Sequence, residues 1–315
     1  MSDAIARQTL PASLLLHGPR GSGKERLALW IAARLLCVTP SADGEPCGDC
    51  QHCQYVARGV HPDLHWYFPR PRLKDPDPDP DDIAGDLAEA IEERLEKSGV
   101  WEAPSRTDAL YVATVRAIVH RASRTPALAA RKVIVVADAH RLAPQEGSDE
   151  ASNAFLKLLE EPLADTTIIL TSSSPSSLLP TIRSRVSAVR VAPLTPAALA
   201  ELEGMGVHQE GASAARSAAS TMLEAAGGGA AARLRFAFLQ GAAGARGDFS
   251  ETLDALTQLL HQRAQQAAVR GDDRSAVGAA RAVGVVEEAK RLTRHNVNPQ
   301  LISATLLDDL APLVS

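Results

Sequence analysis

The sequence predicts an α/β fold built on a parallel sheet around a phosphate-binding loop, with an inserted zinc module and an all-helical tail. Three observations predict it. Continuous apolar runs, Leu14–Leu16, Val133–Ala137 and Ile168–Leu170, alternate with helical patterns as far as Val191, and strands buried on both faces read this way. The first run opens into a glycine loop and then a helix, the context such a loop requires. From Pro193 no strand pattern persists, and Ala, Leu and Gln dominate. The 315 residues suffice for about two or three domains with real cores. A composition of 45% apolar and 23% charged residues belongs to a soluble globular chain. No apolar run of about 18 residues is present, which excludes a membrane-spanning helix. Met1 to Pro11 lacks the basic and apolar regions of a secretion signal, so the expected location is cytoplasmic. A net charge of −5 argues against a broad nucleic-acid-binding face.

The loop reads His17-Gly18-Pro19-Arg20-Gly21-Ser22-Gly23-Lys24-Glu25. Gly18, Gly23 and Lys24 fit G-x-x-x-x-G-K-[ST]; the last position does not, because it is Glu25. Glycines let backbone N–H groups turn inward, and the following helix adds positive potential at its N-terminus. The missing Ser/Thr hydroxyl is the group that holds Mg²⁺ beside the phosphates. Glu25 brings negative charge toward an anionic ligand instead. Gly18, Gly21, Ser22, Gly23, Lys24 and Glu25 are therefore the candidate nucleotide cradle, and two readings of it stand: a site that binds ATP without turnover, and a glycine turn kept for the fold.

All four cysteines follow the first helix, as Cys37, Cys47, Cys50 and Cys53, spaced C-x9-C-x2-C-x2-C. Clustered cysteines in a reducing compartment more often bind metal than form disulfides. Four thiolates fill a tetrahedral Zn²⁺ site, and the tight C-x2-C turns pre-form half of it. Structural zinc is the expectation; an iron–sulfur cluster and a site without metal are the alternatives. His52 is read as solvent-facing or outside the ligand set.

Leu64–Phe68 is a candidate strand. Asp75-Pro76-Asp77-Pro78-Asp79-Pro80-Asp81 reads as an extended, solvated linker, followed by a charged helix with Ile83, Leu87, Ile91 and Leu95 on one face. Residues of about 70–105 thus look like an insertion. Val112, Val115, Ile118 and Val119 mark another helix. Lys132–Ala137 is a buried strand ending in Asp138. In P-loop ATPases an acid there organises Mg²⁺; the plainer reading is a cap on the following turn. The next residues are Ala139-His140, so a glutamate that polarises water is missing. Ala151, Ala154, Phe155, Leu158 and Leu159 form an amphipathic helix that Glu160-Glu161-Pro162 ends. Thr167–Thr171 is a strand, and Ala188–Val191 a short one.

Beyond Pro193, Gly204, Gly206, Gly211 and Gly227-Gly228-Gly229 are expected to break helices. Phe249, Leu253, Leu256 and Leu260 define one helix. Asn298-Pro299 starts another, with Ile302, Leu306 and Leu310 on one face. The expected domains are 1–192 (with the zinc module at 37–53), a small helical lid at 193–238, and a helical C-terminal oligomerisation domain at 239–315.

The order of these pieces resembles AAA+ proteins and, more narrowly, the delta-prime family of bacterial DNA polymerase III clamp-loader subunits. The carrying residues are the four-cysteine module after the loop helix, His61-Pro62-Asp63, Val112-Ala113-Thr114-Val115-Arg116, Ala151-Ser152-Asn153-Ala154-Phe155-Leu156-Lys157-Leu158-Leu159-Glu160-Glu161-Pro162 and Thr181-Ile182-Arg183-Ser184-Arg185. The resemblance implies a non-hydrolysing subunit of a hetero-oligomer with gamma/tau and delta subunits, which loads a sliding clamp onto primed DNA. It also implies that Arg185, beside Ser184, serves as an arginine finger in a neighbour's ATP site; the competing reading pairs Arg185 with a surface carboxylate. Val186 replaces the family's cysteine at the next position. The segment before the first strand is shorter than in the family, and the insertion has no clear family counterpart. A hydrolysing gamma/tau-type motor would need Ser or Thr at position 25 and Glu at position 139. A zinc-dependent DNA-binding protein would need basic residues near the cysteines, and 37–53 contains no Lys or Arg.

Overall fold

The computed structural model describes residues 5, 7, 9–75, 77–96, 104–105, 107–142, 149–192, 194–195, 210–239, 246–294 and 297–314. The chain divides into two compact units, Met1–His208 and Gln209–Ser315.

The first unit is built on five strands: β1 (Ser13–His17), β2 (Leu64–Tyr67), β3 (Lys132–Val136), β4 (Thr166–Ser172) and β5 (Ser187–Arg190). Their order is β2-β3-β4-β1-β5, and every pairing is parallel. β3 and β4 are buried at every position, as their uninterrupted Val and Ile runs require of central parallel strands. The registers His17↔Ser172, Val136↔Leu170 and Tyr67↔Val136 bring the C-terminal ends of β1, β2, β3 and β4 to one edge of the sheet. The glycine loop after β1, Asp138 after β3 and Ser172 at the end of β4 therefore converge there, where ligands of open parallel sheets bind.

Among the described residues, six α-helices accompany the sheet: α1 (Lys24–Leu36), α2 (Gln51–Ala57), α3 (Pro80–Glu96), α4 (Val112–Ala122), α5 (Asp149–Glu160) and the short α6 (Pro180–Arg183). α1 buries Ala28, Ile31, Ala32 and Leu36, and α4 buries Val115 and Ile118, as the sequence pattern predicts.

The Asp-Pro run is largely exposed, as expected of a solvated linker, but its end already belongs to the helix. α3 begins inside it, at Pro80. Asp79 Oδ1 accepts the backbone N–H groups of Asp81 (2.8 Å) and Asp82 (2.9 Å). An acceptor at the N-cap, proline at the first helical position and acidic residues in the first turn constitute a helix start. The alternation of Asp and Pro hid that signal. Asp77 and Asp81 also pair with Arg116 and Arg121 of α4. The two ends of the segment meet: Arg70 and Ala109 exchange backbone hydrogen bonds of 3.2 and 3.1 Å. Arg141 closes the far end with donations to the carbonyls of Pro104, Ser105 and Asp108.

The second unit is all-helical: α7 (Glu210–Gly227), α8 (Ala230–Leu239), α9 (Arg246–Val269), α10 (Asp273–Arg294) and α11 (Pro299–Val314). Ala219, Met222 and Leu223 of α7 share one core with Phe249, Leu253, Leu256 and Leu260 of α9, Val286 of α10, and Ile302, Leu306 and Leu310 of α11. Asn298 Oδ1 accepts the Gln300 N–H at 2.9 Å and caps α11. Gly227–Gly229 separates α7 from α8 as expected. Gly211 does not break a helix; it stands in the first turn of α7, where a glycine costs little. Gly204 and Gly206 lie outside the described residues.

Candidate functional site

Two constellations stand out in the first unit. The first is the cysteine module. The Sγ atoms of Cys37, Cys47, Cys50 and Cys53 all lie within 4.8 Å of one another, with separations of 3.6 Å for Cys37–Cys47, 3.9 Å for Cys47–Cys53 and 4.0 Å for Cys37–Cys50. Tetrahedral thiolates around zinc at ~2.3 Å stand about 3.8 Å apart, so the geometry fits that ion. Backbone N–H groups of Cys47, Cys50 and Cys53 donate to the sulfurs of Cys37, Cys47 and Cys50. Gly48, at φ +78°, supplies the left-handed turn between Cys47 and Cys50. The Thr39 hydroxyl, then the backbone N–H groups of Cys50 and Asp49, lower the Cys47 thiol to about 6; burial pushes Cys53 up to about 12. His52 is half-buried, and its Nδ1 lies 2.9 Å from Nε2 of buried His61.

His61 belongs to a second anchor that sequence reasoning quoted but did not explain. Its Nδ1 accepts the Asp63 N–H at 3.0 Å. The Asp63 carboxylate accepts three backbone N–H groups, from Ala127 (2.5 Å), Leu128 (2.8 Å) and Ala129 (2.6 Å). Burial opposes ionisation of Asp63, yet these donors outweigh it and hold the carboxyl below its usual range. Asp63 thus ties the cysteine module to the loop that feeds β3.

The second constellation is the glycine loop. Gly18 is required by close approach, since a Cβ there would meet the Val191 carbonyl oxygen at 2.2 Å. Gly23 has φ +77° and turns the chain into α1. Lys24 Nζ donates to the Pro19 carbonyl at 2.8 Å, folding back across its own loop. Ser22 Oγ is buried and, among the described residues, has no hydrogen-bond partner. Gly21 is exposed with φ +71°.

Glu25 faces neither solvent nor the loop's own amides. Its Oε1 accepts the indole N–H of Trp66 at 2.8 Å and Arg94 Nη1 at 3.0 Å. Arg94 comes from the last turn of α3, and its guanidinium lies 3.6 Å from the Phe68 ring centroid and 5.5 Å from that of Trp66. Burial pushes the Glu25 carboxyl up from 4.5 to about 7; the Arg94 charge opposes this and Asp138 adds to it. Asp138 sits at φ 46°, a strained conformation for a non-glycine residue. Its neighbour His140 lies within reach of the Ser172 and Ser173 hydroxyls and 3.9 Å from Asp138. Burial lowers His140 to about 4, so it is neutral at pH 7. The structure therefore gathers Lys24, Glu25 and Asp138, which the sequence singled out, and adds Trp66, Arg94 and His140, which it did not. Position 94 reads only as one more charge on a charged helix.

A Mg²⁺-nucleotide fits this site in part. The loop and the orphaned Ser22 hydroxyl suit a phosphate oxygen. The metal side does not fit, because a carboxylate stands where a hydroxyl is needed and an arginine pairs with it.

Arg185 lies apart from both constellations, just after α6. Its Nη1 donates to the Thr181 carbonyl (2.8 Å) and contacts Ser184 Oγ (3.3 Å), and Nη2 lies 2.5 Å from Glu160 Oε1. Its Nε is buried without a partner among the described residues.

The parallel five-stranded sheet, the glycine loop after its first strand and the acid after β3 are consistent with an AAA+-like α/β fold. A family model described as "DNA polymerase III, delta subunit" matches residues 1–195. The chain belongs to that family. It is 40% identical over 190 residues to DNA polymerase III subunit delta′ of Pseudomonas aeruginosa, covering 60% of this chain and 45% of that protein. It is 28% identical over 197 residues to the Bacillus subtilis subunit delta′, covering 62% and 47%. The matched stretch thus spans about half the length of these relatives. Among solved structures, a gamma subunit-related protein from Thermotoga maritima aligns over 100% of this chain and 99% of its own at 16% identity, with a TM-score of 0.40.

Proposed function

We propose that this chain is a non-hydrolysing, delta-prime-type subunit of a DNA polymerase III clamp loader, acting in the cytoplasm. Its partners are gamma/tau-type and delta-type subunits, and through them a sliding clamp and primed DNA. The observation that carries the non-hydrolysing part is the state of the loop. Glu25 replaces the metal-holding hydroxyl and is paired with Arg94, and Ala139-His140 follows Asp138 without a catalytic glutamate. Cys37, Cys47, Cys50 and Cys53 hold a structural Zn²⁺; all four positions are filled by protein, so the ion supplies stability and no chemistry.

Arg185 is the proposed finger in trans. In this chain alone it pairs with half-exposed Glu160, and such a pair costs little to exchange. A neighbour's γ-phosphate is a richer acceptor for the guanidinium fork. The lid role is assigned to 193–238 and oligomerisation to 239–315.

The test is reconstitution with the motor and delta subunits, clamp and primed DNA, reading ATP turnover with and without this chain. Turnover by the complex should require it, and Arg185→Ala should lower turnover without preventing assembly; Arg183→Ala should matter less. ATP hydrolysis by this chain alone, abolished by Lys24→Ala, would instead identify a motor subunit.

A further inference from the structure

We infer that Arg94, delivered by the inserted helix α3, takes the place of the divalent cation in the P-loop site and keeps metal out of it. This rests on the non-hydrolysing reading and supplies its physical cause. In a working P-loop protein the cation sits between the residue after the loop lysine and an acid at the end of another strand of the sheet. Those positions here are Glu25 and Asp138. Both are carboxylates, and the charge of Asp138 raises the cost of ionising Glu25. Two acids facing one site call for a cation. The chain provides one of its own: Arg94 Nη1 lies 3.0 Å from Glu25 Oε1, and Asp138 acts on Arg94 as a favourable charge.

The guanidinium is held there from several sides. Phe68 lies under it at 3.6 Å, a cation–π contact strengthened by exclusion of water. Trp66 donates to the same carboxylate oxygen that Arg94 uses, which fixes that oxygen's position. Trp66 and Phe68 come from the end of β2 and the residue after it, beside β3 in register. The last turns of α3 are seated independently of the ion pair. Gly59, at φ +68°, has no room for a Cβ because Ile91 Cγ2 would lie 2.4 Å away and Leu95 Cδ1 2.9 Å away. The helix end is thus packed against the turn that follows α2, and Arg94 is presented by a fixed support. Its side chain is only 16% exposed, so removing it would take from Glu25 the cation that pairs with it.

The test is Mn²⁺ binding, read by the loss of the free-ion EPR signal, on the full zinc-loaded chain in the absence of nucleotide. Wild type and Arg94→Lys should bind no Mn²⁺ through Asp138 at millimolar concentration. Arg94→Met, which keeps an apolar stem over Phe68 but no charge, should bind Mn²⁺ with a dissociation constant about tenfold or more below that millimolar limit, and Asp138→Asn added to it should abolish the binding. A folded Arg94→Met chain, judged by circular dichroism, that takes up no more Mn²⁺ than wild type overturns the inference. If that variant does not fold, wild type decides: Mn²⁺ uptake that Asp138→Asn removes overturns it, and uptake unaffected by Asp138→Asn upholds the exclusion. No arm contains ATP, so the result is separate from the turnover assay above.

Discussion

The cysteine module and the glycine loop both have a backbone shaped to present groups to one centre, yet their side chains are in opposite states. In the module, four sulfurs point at one centre and backbone N–H groups support three of them. In the loop, the lysine is turned onto Pro19 and the last motif position is engaged by Trp66 and Arg94. The module's four cysteines come from one stretch of 17 residues, 37–53, so local geometry alone assembles them. The loop's decisive partner stands 69 positions away in the chain. A site built locally keeps its ligand as long as its residues remain. A site whose second half comes from elsewhere is open to capture by whatever segment packs there.

Breaking the module should have the largest effect. Cys50→Ser should reduce zinc from about one ion per chain toward none, since three thiolates bind far more weakly than four. It should also expose the amides of α2 to hydrogen exchange while those of β3 and β4 stay protected. Elemental analysis and exchange together check this; full zinc content in the variant would remove the module from the comparison.

Next in size is Asp63, the link between the module and the sheet. Asp63→Ala leaves three N–H donors without their acceptor, which should cost roughly 2–4 kcal/mol in denaturant unfolding. Because the folded carboxyl is held below its usual range, this contribution is present above that range and fades as pH falls through it.

Glu25 should behave with the opposite sign. Its folded carboxyl is raised to about 7, so between about 4.5 and 7 the folded chain holds a proton that the unfolded chain releases. Stability should therefore decline as pH rises through that window, by an amount on the order of 2–3 kcal/mol. Glu25→Gln should flatten the decline. Equilibrium unfolding at a series of pH values measures it, and parallel profiles for wild type and variant would mean that Glu25 is more hydrated than its packing indicates.

The smallest effect on stability belongs to Arg185. Its pair with Glu160 is partly exposed, so Arg185→Ala should change unfolding free energy by no more than about 1 kcal/mol. A thermal melt close to wild type, alongside lost turnover in the assembled complex, separates a role toward a neighbour from a role in this fold.

Much of this was legible in the sequence, and the reason differs by region. The buried strands, the helices with Ile118, Phe155 and Leu256 on their inner faces, and the start of α11 at Asn298-Pro299 follow from short-range rules, since periodicity and capping act within a few residues. The clustering of the four cysteines was legible for the same reason, as were the positions of Lys24, Glu25 and Asp138. What those last residues do was decided by tertiary structure. Parallel pairing brought the ends of β1, β2 and β3 to one edge, and the packing of α3 against Gly59 delivered Arg94 to Glu25. The helix after the Asp-Pro run was legible from Ile83 and Leu87, but its start was not: the alternation hides an N-cap, which became visible only where Asp79 met the amides of Asp81 and Asp82. Sequence alone thus determined which chemical groups this protein carries and the strands and helices that bear them. Only the tertiary structure decided which groups neutralise one another, because charge pairing depends on distance through space, and residues 25 and 94 become neighbours only after the sheet has formed.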